Sequence, residues 1–154
     1  MKIILASKSK VRKKILEKNN FDCIVVPSNV DEDQVKNSLL AVGANPMLVS
    51  KNLAELKSVK VSNKYPDQPV LGADSVVSLN NELINKPNTR EEALEILKKL
   101  NGSAHYLITS VCISKNGAMI WNFTDQSKLK MKKLSDEQLV HYLKKINTET
   151  LLTY

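Results

Sequence analysis

Val70-Leu71-Gly72-Ala73-Asp74-Ser75-Val76-Val77, continued by Asn81-Glu82-Leu83-Ile84-Asn85-Lys86-Pro87, is the stretch around which the chain is organised. Val70, Leu71, Val76, Val77 and Leu79 leave no consistently polar side at period two, the pattern of a strand buried on both faces. Asp74 sits inside that strand. An ionised carboxylate there costs several kcal/mol, roughly, unless a cation or a set of donors stands beside it. Either Asp74 ends the strand and caps a turn, or it belongs to a site. Asn80-Asn81, between Leu79 and Leu83, is a hairpin signal that could fold Lys86 back beside the strand. Lys86 precedes a proline and is held in extended backbone. One segment thus offers a carboxylate for a metal and an ammonium for an anion.

Working outward, helices surround this hairpin. Asn45-Pro46 opens a helix with an N-cap and a proline at the first helical position. Val49, Leu53, Lys57 and Val61 follow at steps of four, so Lys57 shares a ridge with three apolar residues. It points to the core or its rim, or it snorkels to solvent. Upstream, 2–5 is a short apolar strand turned by Ala6-Ser7-Lys8-Ser9 into a helix over about 10–18. Ser7 or Ser9 serves as N-cap, and Val11, Ile15 and Leu16 form the expected buried stripe. A helix start carrying hydroxyls, Lys8, Lys10 and Arg12 is a good anion site, or simply a capped helix with a basic solvated face. Phe21 to Val26 reads as the next strand. Asp31-Glu32-Asp33 then opens a helix ending near Gly43. These carboxylates are dipole-favourable caps, or a Mg²⁺ site if one turns inward.

Downstream, Thr89-Arg90-Glu91-Glu92 and Ser135-Asp136-Glu137-Gln138 are capping boxes that open helices, the first closed by Asn101-Gly102. Residues 104–114 and 118–131 read as strands joined by an Asn116-Gly117 turn. Trp121 is expected in the core. His105 and His141 lack zinc-like spacing, and no Gly-rich dinucleotide or Walker fingerprint is present. The fold class is α/β, a mixed, twisted sheet flanked by helices.

The length, 154 residues, suits one domain. No apolar run approaches a membrane span, and Met1 to Leu5 is too short for a signal-peptide core, so the expectation is a cytoplasmic protein. Cys23 and Cys112 read as free, buried thiols. The net charge of +7 asks for an anionic partner, either a nucleic-acid backbone or a small polyphosphate, beyond lysines that only maintain solubility. An aromatic content of 5% offers no base-stacking platform and disfavours nucleic acid.

These residues resemble the Maf family of nucleoside triphosphate pyrophosphatases. Leu5-Ala6-Ser7-Lys8-Ser9-Lys10-Val11-Arg12 is similar to the family's opening Leu-Ala-Ser-x-Ser-Pro-Arg-Arg, and Val30-Asp31-Glu32 falls at its acidic pair. Leu53-Ala54-Glu55-Leu56-Lys57-Ser58 resembles Leu-Ala-x-x-Lys-Ala. Gly72-Ala73-Asp74-Ser75-Val76-Val77 resembles Gly-Ala-Asp-Thr-Val-Val. Lys86-Pro87 and the Leu100-to-His105 element match as well.

The resemblance implies a Maf/ITPase-like architecture and hydrolysis of modified or non-canonical nucleoside triphosphates to the monophosphate and pyrophosphate. It implies Asp74 and Glu32 as ligands for Mg²⁺ or Mn²⁺, and Lys57, Lys86 and Arg12 as balancing charges. Ser7 and Ser9, with the helix start, would cradle a phosphate. A homodimer is also implied. Two departures stand out. Val11 replaces one arginine and leans towards the branch associated with 7-methylguanosine triphosphate, away from dTTP and UTP. Family members also continue into a Gly-x-Tyr-x-Ile-Gln/Glu segment where this chain has Thr150 to Tyr154. The expectation is a single Maf-like domain over 1–154 without that C-terminal segment, leaving a strand edge or apolar surface uncovered. The alternative function is a catalytically impaired Maf-like protein that binds nucleotide or nucleic acid.

Overall fold

Residues 2–153 are described by a computed structural model, with side chains for 2–150. The strands are β1 Ile3–Leu5, β2 Cys23–Val25, β3 Val70–Leu79, β4 Glu82–Ile84, β5 Ala104–Lys115 and β6 Ala118–Lys130. The helices are α1 Lys10–Lys18, α2 Glu32–Ala41, α3 Pro46–Ser62, α4 Arg90–Leu100, α5 Asp136–Lys145 and α6 Thr148–Thr153. The sheet runs β2-β1-β3-β5-β6, with β4 pairing to β3. β1 lies parallel to β2 and β3, and β4 antiparallel to β3, so the sheet is mixed and the class is α/β. By packing, the chain forms two units, Met1–Ser75 with Ile108–Asp125, and Val76–Leu107 with Gln126–Tyr154.

In the first unit, parallel pairing of β1 with β3 (Ile4 opposite Val70, Leu5 opposite Leu71) needs a crossover, supplied by the intervening helices. Ile4, Ala6, Val61 and Val70 form a buried cluster against which Val26 and Tyr65 pack. α3 begins where Asn45 Oδ1 accepts the Leu48 N–H at 2.9 Å, with Pro46 at the first helical position. Two adjacent rows of α3 are buried, Val49-Leu53-Lys57-Val61 and Ser50-Ala54-Ser58-Ser62. The small second row lets the helix backbone approach β3. A Cβ placed on Gly72 would collide with the Ala54 carbonyl oxygen and come within 2.7 Å of Ser58 N. The serines in this layer are paired. Ser58 Oγ lies 2.7 Å from Ser114 Oγ, and Ser62 Oγ accepts the Gly117 N–H at 3.1 Å, as buried polar groups require.

In the second unit, Asn80 and Asn81 both take positive φ (51° and 66°), which is the backbone of a two-residue hairpin turn. Val77 then faces Ile84 across β3 and β4. α5 carries a full capping box between Ser135 and Gln138. α4 carries only half of one. Thr89 Oγ1 accepts the Glu92 N–H, but Glu92 Oε2 takes the Asn88 N–H at 2.7 Å instead of reaching back to Thr89. The Arg90 guanidinium donates to the carbonyls of Leu143 and Ile146, a cation at the negative end of α5.

Four further expectations are corrected. α1 buries no residue fully, and Val11 and Ile15 are 44% and 54% exposed while Leu16 is half-buried, because the helix packs on a strand, β2, of only three residues. Trp121 is half exposed and stacks on Phe123 at 6.2 Å, because β6 ends the sheet and every residue of it except Thr124 is exposed. β3 is asymmetric. Its even-numbered residues from 70 to 78 are all buried, whereas Leu71, Val77 and Leu79 are half-buried and Ser75 is exposed. Both cysteines are free, but only Cys112 is buried, Cys23 being half-buried. The short helix α6 lies where no element was expected.

Candidate active site

Three elements of the first unit converge on one ammonium. The buried row of α3 carries Lys57 towards β3, where Lys57 Nζ lies 2.8 Å from Asp74 Oδ1. The same nitrogen lies 2.8 Å from Glu32 Oε1. Glu32 arrives because Asp31 is consumed as the N-cap of α2, its Oδ1 accepting the Gln34 N–H at 3.0 Å. That leaves Glu32 at the first helical position, while Asp33 turns outward to Lys36. Of the three adjacent carboxylates, one reaches the cluster, one caps and one is solvated.

The Asp74 side chain is almost wholly buried. Burial raises its pKa above the ordinary carboxylate value, and the charge and hydrogen bond of Lys57 oppose that rise without cancelling it. Glu32 adds to the rise and Arg12 works against it. The other carboxylate oxygen, Oδ2, is buried and accepts no hydrogen bond among the described residues. Ser50 Oγ donates to the Asp74 backbone carbonyl at 3.2 Å and fixes the strand at this point.

Beside this ion cluster stands Arg12. Ser9 caps α1, accepting the Arg12 N–H at 3.3 Å, and the Ser9 N–H in turn meets Ser7 Oγ at 3.2 Å. The guanidinium donates through Nη1 to Ser7 Oγ at 3.2 Å and through Nη2 to Ser75 Oγ at 3.4 Å. Ser75 Oγ is 3.0 Å from Thr109 Oγ1. Burial lowers the Arg12 pKa, and the charges of Asp74 and Glu32 partly restore it. An always-charged fork of donors, held by neutral hydroxyls at a helix start, suits a phosphate group.

Ser7, Ser9, Arg12, Glu32, Lys57 and Asp74 therefore belong to one connected set in the first unit. Lys86 lies in the second unit, exposed, two residues beyond β4. The Ser9 hydroxyl accepts a backbone N–H as the cap of α1. Ser75, Thr109, Ser50 and Gly72 were not singled out as site residues. The small-residue row of α3 could have drawn attention to Ser50 and Gly72, but nothing local marks Thr109.

Among the described residues, no three or more His, Cys, Asp or Glu side chains gather into a metal cage. Mg²⁺ does not need one, since it takes one or two carboxylates and completes its shell with waters and substrate phosphates. The buried Oδ2 of Asp74 and the half-exposed Glu32 fit such a cation.

The family model described as Maf-like protein matches residues 2–150. A nucleoside triphosphate pyrophosphatase from Pelagibacter ubique (strain HTCC1062) is 59% identical over 152 residues, covering 99% of this chain and 78% of that protein. A dTTP/UTP pyrophosphatase from Pyrococcus furiosus is 37% identical over 142 residues, covering 92% of this chain and 70% of its own length. Among solved structures, a HAM1 protein from Coxiella burnetii aligns with a TM-score of 0.50, covering 84% of this chain and 71% of the other. Its sequence identity is 15%, so that likeness concerns the fold alone.

Proposed function

This chain belongs to the Maf-like protein family, and on that premise we propose that it hydrolyses nucleoside triphosphates to the monophosphate and pyrophosphate. The observation that carries the reading is the convergence on Lys57, whose ammonium joins a buried aspartate and a helix-start glutamate. Beside them stands an arginine that donates to the hydroxyls of Ser7 and Ser75. Phosphoryl transfer asks a protein mainly for positioning and charge compensation, and this set supplies both.

In this reading Asp74 Oδ2 accepts the proton of the attacking water or orients it, a role favoured by a pKa raised above that of an ordinary carboxylate. Lys57 balances charge on the phosphate under attack, and Arg12 with Ser7 binds the leaving pyrophosphate portion. The resemblance alone adds Lys86 to the charge-balancing residues. Asp74 and Glu32 are the residues that would hold Mg²⁺ or Mn²⁺. When bound, such a cation would neutralise phosphate charge and favour ionisation of water.

Homodimerisation and cytoplasmic residence are part of the same proposal. The exposed Trp121 and Phe123 of β6 support the first. Among the described residues, no helix is long and apolar enough to cross a membrane. The test is incubation of the protein with Mg²⁺ or Mn²⁺ and a panel of triphosphates, including dTTP, UTP and 7-methylguanosine triphosphate, with chromatography of the products. Equimolar monophosphate and pyrophosphate support the reading, whereas diphosphate and orthophosphate would place the cut at another bond and overturn it.

A further inference from the structure

Arg12 owes its direction to a chain of hydroxyls that ends on a different strand. Its Nη2 donates to Ser75 Oγ at 3.4 Å, and Ser75 Oγ lies 3.0 Å from Thr109 Oγ1 in β5. Ser75 is exposed. An unbranched serine side chain on a strand surface has three staggered settings, and the contact with Thr109 selects the one that also faces Arg12. Thr109 can do this through its hydroxyl, the partner that the Ser75 hydroxyl meets across the two strands. Both hydroxyls are neutral, so these hydrogen bonds aim the guanidinium without adding a charge to it.

We propose that Thr109 is a positioning residue of the anion site, acting through Ser75 to set the direction of the Arg12 guanidinium. The proposal rests on the pyrophosphatase reading, in which Arg12 meets the phosphates of the substrate, and it adds a residue that touches neither substrate nor ion cluster.

The test uses the whole chain in four variants, Thr109→Val, Thr109→Ser, Arg12→Lys and the double variant T109V/R12K. Binding of inorganic tripolyphosphate is measured by calorimetry and nucleotide turnover by steady-state kinetics. T109V is expected to weaken tripolyphosphate binding roughly 3- to 10-fold, the loss of one hydrogen bond's influence, and to raise KM more than it lowers kcat. T109S, which keeps the hydroxyl, should bind like the parent protein. In the R12K background T109V should add nothing, whereas a merely structural role would add its full effect again. Parental affinity in T109V, impairment of T109S equal to that of T109V, or full additivity in the double variant overturns the proposal. Tripolyphosphate binding that depends on Thr109, in a protein that cleaves no nucleotide, upholds the positioning role and removes the pyrophosphatase reading. A folded parent protein that binds no tripolyphosphate overturns the positioning role, and one that also cleaves no nucleotide overturns both.

Discussion

Lys57 Nζ and Asp74 Oδ1 lie 2.8 Å apart in a layer where both side chains are almost wholly removed from solvent. Their meeting depends on the backbone beneath them, since α3 can lie against β3 only where Gly72 has no side chain. The ion pair therefore depends on the helix seat, and each makes a distinct prediction.

Asp74→Asn should separate activity from stability. The substitution keeps the shape and an acceptor for Lys57 but removes a carboxylate that burial disfavours. Turnover should drop by roughly 10²-fold or more, while the melting temperature near neutral pH stays level or rises. Calorimetry beside an activity assay checks both.

The same carboxyl gives a pH dependence with a definite sign. Its folded pKa lies above its ordinary value of 3.8, so between the two the folded chain holds more of this proton than the unfolded chain. Stability should therefore decline as pH rises through that window. Urea midpoints across the acid range should show this decline in the parent protein and lose that component in Asp74→Asn. Activity should run the other way, with an acid limb shifted upward from the ordinary carboxylate value, because the ionised form is the proton acceptor.

Lys57→Met should destabilise the fold by about 3–5 kcal/mol, since it strands the buried Asp74 without its cation. Adding Asp74→Asn should recover much of that loss without recovering turnover. Denaturant unfolding of the single and double variants measures the coupling, and simple additivity would mean that the two groups do not depend on each other.

Gly72→Ala should cost at least about 1–3 kcal/mol by overpacking, because the new methyl meets the backbone of Ala54 and Ser58, neither of which can rotate away. Activity should fall further than stability, as α3 carries Lys57 with it when displaced. Hydrogen exchange of the α3 amides, measured with turnover, reads both effects.

Lys57 and Asp74 were legible in the sequence because each breaks a local rule, a lysine on an apolar ridge and a carboxylate in an apolar strand. The turns at Asn80-Asn81 and Asn116-Gly117 and the caps at Asn45 and Ser135 were legible because their chemistry is local. Ser75 and Thr109 were not. The contacts of Ser75 with Arg12 and with Thr109 span 63 and 34 residues, and no periodicity reports such pairings. Exposure was misread for a related reason. The apolar pattern of Val11 and Ile15, like the aromatic Trp121, says which side prefers to be covered, not whether any part of the chain covers it. Thr89 made half of its expected capping box because Glu92 accepts the Asn88 N–H.

The most direct measurement follows hydrolysis of the best triphosphate in ¹⁸O-labelled water with Mg²⁺, comparing the parent protein with Asp74→Asn. The label should appear in the monophosphate and not in the pyrophosphate, at a rate that collapses in the variant. No hydrolysis of any triphosphate by the folded parent, label in the pyrophosphate, or undiminished turnover in Asp74→Asn would contradict the assignment of this cluster as the catalytic centre.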